Sequence, residues 1–148
     1  MDDRAVSRVL SYTLVVAIST VLVAGLLISG SSFVGDQRSQ VVDSELDVIG
    51  QRLAADIATA DRLVRMGDGQ TTVKIDSRLP DRVAGQHYNV EVIPEDGNVS
   101  LRIQTPALDR RAVVPVSNTT AVAAGQAAGG DVVIEYDRSN DRLEVRNA

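Results

Sequence analysis

VLSYTLVVAISTVLVAGLLISGSSFVG, residues 9–35, carries no charged side chain. The run follows Asp2-Asp3-Arg4-Ala5-Val6-Ser7-Arg8 directly. A cleaved secretory signal has a shorter apolar core, about 7–15 residues, and ends at an A-x-A-like site. The small residues nearest that place, Gly30-Ser31-Ser32, fit such a site poorly. About 20 apolar residues cross a bilayer as a helix, so this run is long enough. Within Leu14 to Ile28 stand ten Leu, Val or Ile residues. On an insertion scale they contribute roughly -3 to -6 kcal/mol together, offset in part by Thr20, Gly25 and the hydroxyls. Tyr12 and Phe33 bracket the run about 31 Å apart along a helix, close to the ~30 Å hydrocarbon thickness. Aromatic side chains prefer the two membrane interfaces, and Arg4 and Arg8 before the span favour a cytoplasmic N-terminus. A single-pass membrane protein follows, with its C-terminal part outside the cell.

The pattern changes beyond the span. Val42, Leu46, Ile49, Leu53, Ile57, Ala60 and Val64 recur in steps of three and four, which is one helical stripe. Asp43, Glu45, Asp47, Arg52, Asp56, Asp61 and Arg62 lie between them and read as a solvated set. Gly67-Asp68-Gly69 reads as the helix stop. A membrane helix continuing into this stretch would bend or break most readily at Gly30, Gly35 or Gly50.

From Thr71 the period is two. Residues 71–76 alternate, and 87–93 with 99–105 flank Pro94-Glu95-Asp96-Gly97-Asn98 as a hairpin. Residues 131–136 and 142–146 flank Asp137-Arg138-Ser139-Asn140-Asp141 as a second. Residues 113–116 and 119–123 read as weaker strands, the first an edge strand because of Pro115. Ala124 to Gly130 reads as a small-residue loop. Six or so short strands make a small antiparallel sandwich. The fold class is therefore α+β: a long N-terminal transmembrane helix, then a small antiparallel β-sandwich-like domain. Under 80 residues of β structure with only Tyr88 and Tyr136 as aromatics make a thin core. Neighbouring subunits, the long helix or high salt are the available sources of extra stability.

Composition narrows the function. The chain has a net charge of -5, and the first 35 residues sum to zero, so the acidity lies in the remainder. That argues against a nucleic-acid partner, which needs clustered Lys and Arg. There is no cysteine, which removes thiol chemistry, disulfides and thiolate metal sites. Lys74 is the sole lysine beside fourteen arginines, and acidic, lysine-poor surfaces point to a salt-adapted organism. His87 is the only histidine, so a transition-metal site lacks ligands. The turn Asp137–Asp141 lacks the spacing of a calcium loop. No phosphate-cradling glycine loop and no convincing Ser/His/Asp arrangement is present, and neither a catalytic residue nor a cofactor is assigned.

Arg4-Ala5-Val6-Ser7 followed at once by the apolar span resembles the N-terminus of haloarchaeal type IV pilins and pilin-like proteins. The resemblance covers about the first 30 residues, and the layout behind it agrees. It implies a leader ending in a small residue, cut by a prepilin peptidase on the cytoplasmic side of a helix that stays in the mature protein. In this chain the cut falls between Ala5 and Val6. Arg8 and Ser11 stand where the family often has proline and glycine, which suits a minor or pilin-like member. The implied organisation is a leader over 1–5, a transmembrane or filament-core helix over 6–35, an amphipathic extension over 36–66 and an extracellular β domain over 70–148. The implied partners are the membrane, other pilin-like subunits and the peptidase, and the implied destination is a surface filament or its assembly complex. The alternative is an uncleaved single-pass protein whose β domain binds a partner or glycan. Thr13, Ala17, Gly25 and Ser29 form an i+4 stripe of small residues that suits helix packing, and small residues are also common in any membrane helix. Asn98-Val99-Ser100 and Asn118-Thr119-Thr120 match the N-glycosylation acceptor pattern.

Overall fold

A computed structural model describes residues 3–67, 72–95 and 97–148; the side chains of residues 3–9, 31, 32, 34 and 36 lie outside that description. The chain divides into two compact units, Met1–Gln40 and Val41–Ala148. Helix α1 is assigned over Asp3–Met66 and is unbroken at Gly30, Gly35 and Gly50. Its last turn closes with the Gly67 N–H donating to the Leu63 carbonyl at 3.0 Å. The remainder of the expected stop, Asp68 and Gly69, lies outside the described residues.

In the second unit the helical stripe serves as core. Val42, Leu46, Ile49, Leu53, Ile57 and Ala60 are buried, and Val64 packs partly buried beside them. They share one hydrophobic cluster with strand residues from two four-stranded sheets. The long helix therefore supplies the apolar surface that the β region lacks. Gly50 explains the closeness of the approach. A Cβ there would stand 2.6 Å from both Ile103 Cδ1 and Val114 Cγ2, well inside contact distance. The residue that looked like a hinge is a packing point.

The strands are β1 Lys74–Ser77, β2 Asn89–Glu95, β3 Asn98–Thr105, β4 Arg110–Val116, β5 Ala121–Val122, β6 Gly125–Ala128, β7 Val132–Asp137 and β8 Arg142–Asn147. One sheet has the order β1-β7-β8-β5, the other β4-β3-β2-β6. All pairings are antiparallel except β5 with β8. In β3 the alternation is complete: Val99, Leu101, Ile103 and Thr105 are buried, and the residues between them are not. This is a sheet with one face on the core. In β7, Val132, Val133 and Ile134 are buried in succession, so both faces of the strand are covered there. The sheets meet where Asn147 of β8 holds Ala128 of β6. Its Oδ1 accepts from the Ala128 N–H and its Nδ2 donates to the Ala128 carbonyl, both at 3.1 Å.

Both expected hairpins form. The first is tighter than the sequence reading: Glu95 pairs with Asn98, so the strands run through Pro94 and the turn has two residues. Gly97, with φ of +87°, takes the left-handed conformation such turns need. The second forms where expected, with its strand one residue longer: Asp137, read as the first turn residue, ends β7 opposite Arg142. Pro115 does lie on an edge strand, since β4 pairs only with β3.

Three readings are corrected. Residues 119–123 shorten to β5 and pair in parallel, a long-range arrangement with no local signal. Residues 110–112 join β4, because Arg110, Arg111 and Ala112 find partners on β3. The stretch from Ala124 to Gly130 is not a loop throughout but contains β6, paired with β2. Gly129 is small for a packing reason: a Cβ there would lie 2.5 Å from the ring of buried Tyr88.

Candidate functional site

Within the first unit, the stretch Leu10–Gly30 presents an apolar surface. Leu10–Gly30 is long and apolar enough to cross a membrane, and none of its window is buried. Leu14, Val21, Leu22 and Leu26 are 62–73% exposed. A soluble helix hides one stripe and solvates the other. Here apolar side chains project on every side, with nothing over them among the described residues. Such a surface is stable only in lipid or against another apolar surface. Within it the Thr20 hydroxyl is satisfied locally, donating to the Val16 carbonyl at 2.8 Å.

The residues singled out for packing lie in this surface. Thr13, Ala17, Gly25 and Ser29 are all exposed, and Thr13 and Ala17 line a shallow apolar depression with Leu10, Ser11 and Leu14. Nothing lies within 4 Å of a Cβ built on Gly25, so no contact inside the chain requires a glycine there. Ala5 and Val6 fall within α1, but their side chains lie outside the described residues.

A second feature sits where α1 ends in the β unit. Asp61 is 3% exposed, which corrects its reading as solvated. Its Oδ1 accepts from the backbone N–H groups of Thr119 (3.1 Å) and Thr120 (2.7 Å). Its Oδ2 accepts from Arg65 Nε at 3.1 Å. The carboxylate thereby fixes the segment between β4 and β5 onto the helix. Asp61 follows Ala60 at the margin of the buried stripe, and the loop that needs its oxygens is far away in sequence. Helical periodicity carries no sign of that. Asp56 and Asp43 likewise have partners, Ser77 at 2.6 Å and Arg110 at 3.3 Å.

Burial pushes the Asp61 carboxyl upward, but the hydrogen bonds from Thr120 and Thr119 and the Arg65 charge outweigh it. The net shift is downward. The unfolded chain titrates this group near its ordinary value, about 3.9. The stabilisation is therefore complete above that value and is lost as pH falls through the lower folded-state value. Asp61→Ala is expected to cost about 1–3 kcal/mol in urea unfolding of the detergent-solubilised chain at pH 7. The difference between wild type and variant should shrink in acid; a constant difference would contradict the assignment.

Beside Asp61 opens a cleft of about 580 Å3, bordered by Arg62, Arg65, Asn98, Ser117 and Asn118 among others. It brings the two acceptor asparagines to one place. Asn98 is exposed at the start of β3, and half-buried Asn118 donates from Nδ2 to the Thr120 carbonyl at 2.9 Å. His87 is exposed ahead of β2, and Asp137 receives the Ser139 N–H as a turn residue. Among the described residues no group of three or more His, Cys, Asp or Glu is arranged to hold a metal.

An exposed apolar helix joined to a small α+β unit defines the class of architecture. The chain belongs to a family of unknown function, DUF7266, which matches it over residues 1–148. No curated protein and no solved structure matches it.

Proposed function

We propose that this protein is a pilin-like structural subunit, inserted as a single-pass membrane protein with its N-terminus in the cytoplasm. A prepilin peptidase removes residues 1–5 between Ala5 and Val6, and the subunit then passes into a type IV pilus-like filament or its assembly complex. The observation that carries this reading is the uncovered apolar surface of Leu10–Gly30. In the bilayer lipid covers that surface, and in an assembly the same segment of other subunits does. Thr13, Ala17, Gly25 and Ser29 allow close approach of neighbouring helices. The role read here is a structural one, and Asp61, the one buried carboxylate among the described residues, serves the fold by holding Thr119, Thr120 and Arg65. The acidic, lysine-poor composition supports a salt-adapted, archaeal source.

The lack of cysteine makes a clean test available. Ala17→Cys is expected to form disulfide-linked dimers on mild oxidation of native membranes. Val15→Cys, on the opposite side of the helix, is expected to stay monomeric. Equal cross-linking at both positions, or none at either, would count against packing through the small-residue stripe. A monomeric anchor would then favour the reading in which the β domain binds a partner or glycan.

A further inference from the structure

The tripeptides at Asn98 and Asn118 both match the acceptor pattern, one with Ser100 and one with Thr120 in the third place, and folding sets them further apart. N-glycosylation joins the amide nitrogen of asparagine to the anomeric carbon of a sugar carried on a lipid phosphate. The new C–N bond forms as the C–O bond to phosphate breaks; the phosphate leaves with the electron pair and the amide gives up a proton. The nitrogen lone pair is normally delocalised into the carbonyl, so the amide must be free to twist.

Asn118 lacks that freedom. Its Nδ2 is engaged with the Thr120 carbonyl, and the N–H groups of Thr119 and Thr120 are both held by buried Asp61. A transferase would have to pull the whole tripeptide off the helix. Asn98 is exposed beside the Gly97 turn as the first residue of β3; its backbone pairs with Glu95 and its tripeptide runs into the sheet, but its side chain makes no hydrogen bond among the described residues. Ser100 lies two positions along β3, so its hydroxyl faces the same side as the Asn98 amide. The cleft alongside falls within the ~300–1,000 Å3 of small-molecule sites. Arg62 borders it, donating to Thr59 Oγ1 at 2.9 Å with no carboxylate in ion-pair range among the described residues. Its guanidinium has further N–H donors for sugar oxygens.

We infer that Asn98, and not Asn118, is the N-glycan acceptor of the folded protein, with the first sugar seated at the mouth of the cleft beside Arg62. This rests on the β unit being exported. The test is intact-mass and glycopeptide analysis of the full chain from the membranes of a host that performs N-glycosylation, with external protease applied to whole cells in parallel. The expected result is one glycan on wild type, its complete loss in Asn98→Gln and Ser100→Ala, its retention in Ser100→Thr, and an unchanged increment in Asn118→Gln. A glycan on Asn118, or a bare Asn98 on a chain whose β unit is cut by external protease, overturns the inference alone. A β unit protected from that protease overturns the export reading and this inference with it.

Discussion

A chain beginning at Val41 is expected to unfold in one cooperative transition, and a chain beginning at Thr72 to show none. The second lacks Val42, Leu46, Ile49, Leu53 and Ile57, which are 0–3% exposed in the intact unit. Burying a side chain of this size is worth about 1.5–3 kcal/mol, so the five contribute on the order of 7–15 kcal/mol. That is the size of the whole net stability of a small domain, about 5–15 kcal/mol. Removing the helix also uncovers Ile103 and Val114, and leaves Ser77 and the Thr119 and Thr120 amides without Asp56 and Asp61. Urea titration followed by circular dichroism at matched salt separates the two chains. A cooperative transition in the shorter chain would show that the sheets do not depend on the helix.

Two arginines in the middle of the span, Val21→Arg with Leu22→Arg, are expected to remove the protein from the membrane fraction. Each arginine costs about 2.5–3.5 kcal/mol at a helix centre, and each lost Val or Leu forgoes about 0.3–0.6 kcal/mol. The change is roughly +6 to +8 kcal/mol, which exceeds the -3 to -6 kcal/mol available from the ten Leu, Val and Ile residues. Leu22→Ala is the conservative control and should leave the protein in the membrane. Alkaline extraction of membranes is the measurement; a doubly substituted chain that stays in the pellet would contradict the reading of Leu10–Gly30 as a span.

The features legible in the sequence were those with a local period. The stripe from Val42 to Val64 marked the helix face that the core uses, and the alternation around Gly97 and around Asp137–Asp141 marked the two hairpins. Pro115 placed β4 on an edge, because a residue without an N–H cannot serve a ladder on both sides. What was not legible depends on groups far apart in the chain. Asp61 reads like any helix-surface acid until Thr119 and Thr120 reach it. Gly50 reads as a weak point until Ile103 and Val114 occupy the space of a side chain. The small residues from Ala124 to Gly130 read as loop, whereas part of that run is a strand and Gly129 is small because Tyr88 lies against it. Both Asn98 and Asn118 match the acceptor pattern; Asn118 is set apart by its bond to the Thr120 carbonyl and by the hold of Asp61 on the residues after it, which the pattern does not carry.

The small-residue stripe and the leader differ from these. The stripe lies on a surface that nothing among the described residues covers, and the leader lies outside the described side chains, so the meaning of both lies in what meets them. The most direct test is the mass of the mature protein extracted from its native membranes. Cleavage between Ala5 and Val6 predicts a chain that begins at Val6 and retains Leu10–Gly30 intact. A mature chain beginning at Met1 or Asp2 would contradict the pilin-like account.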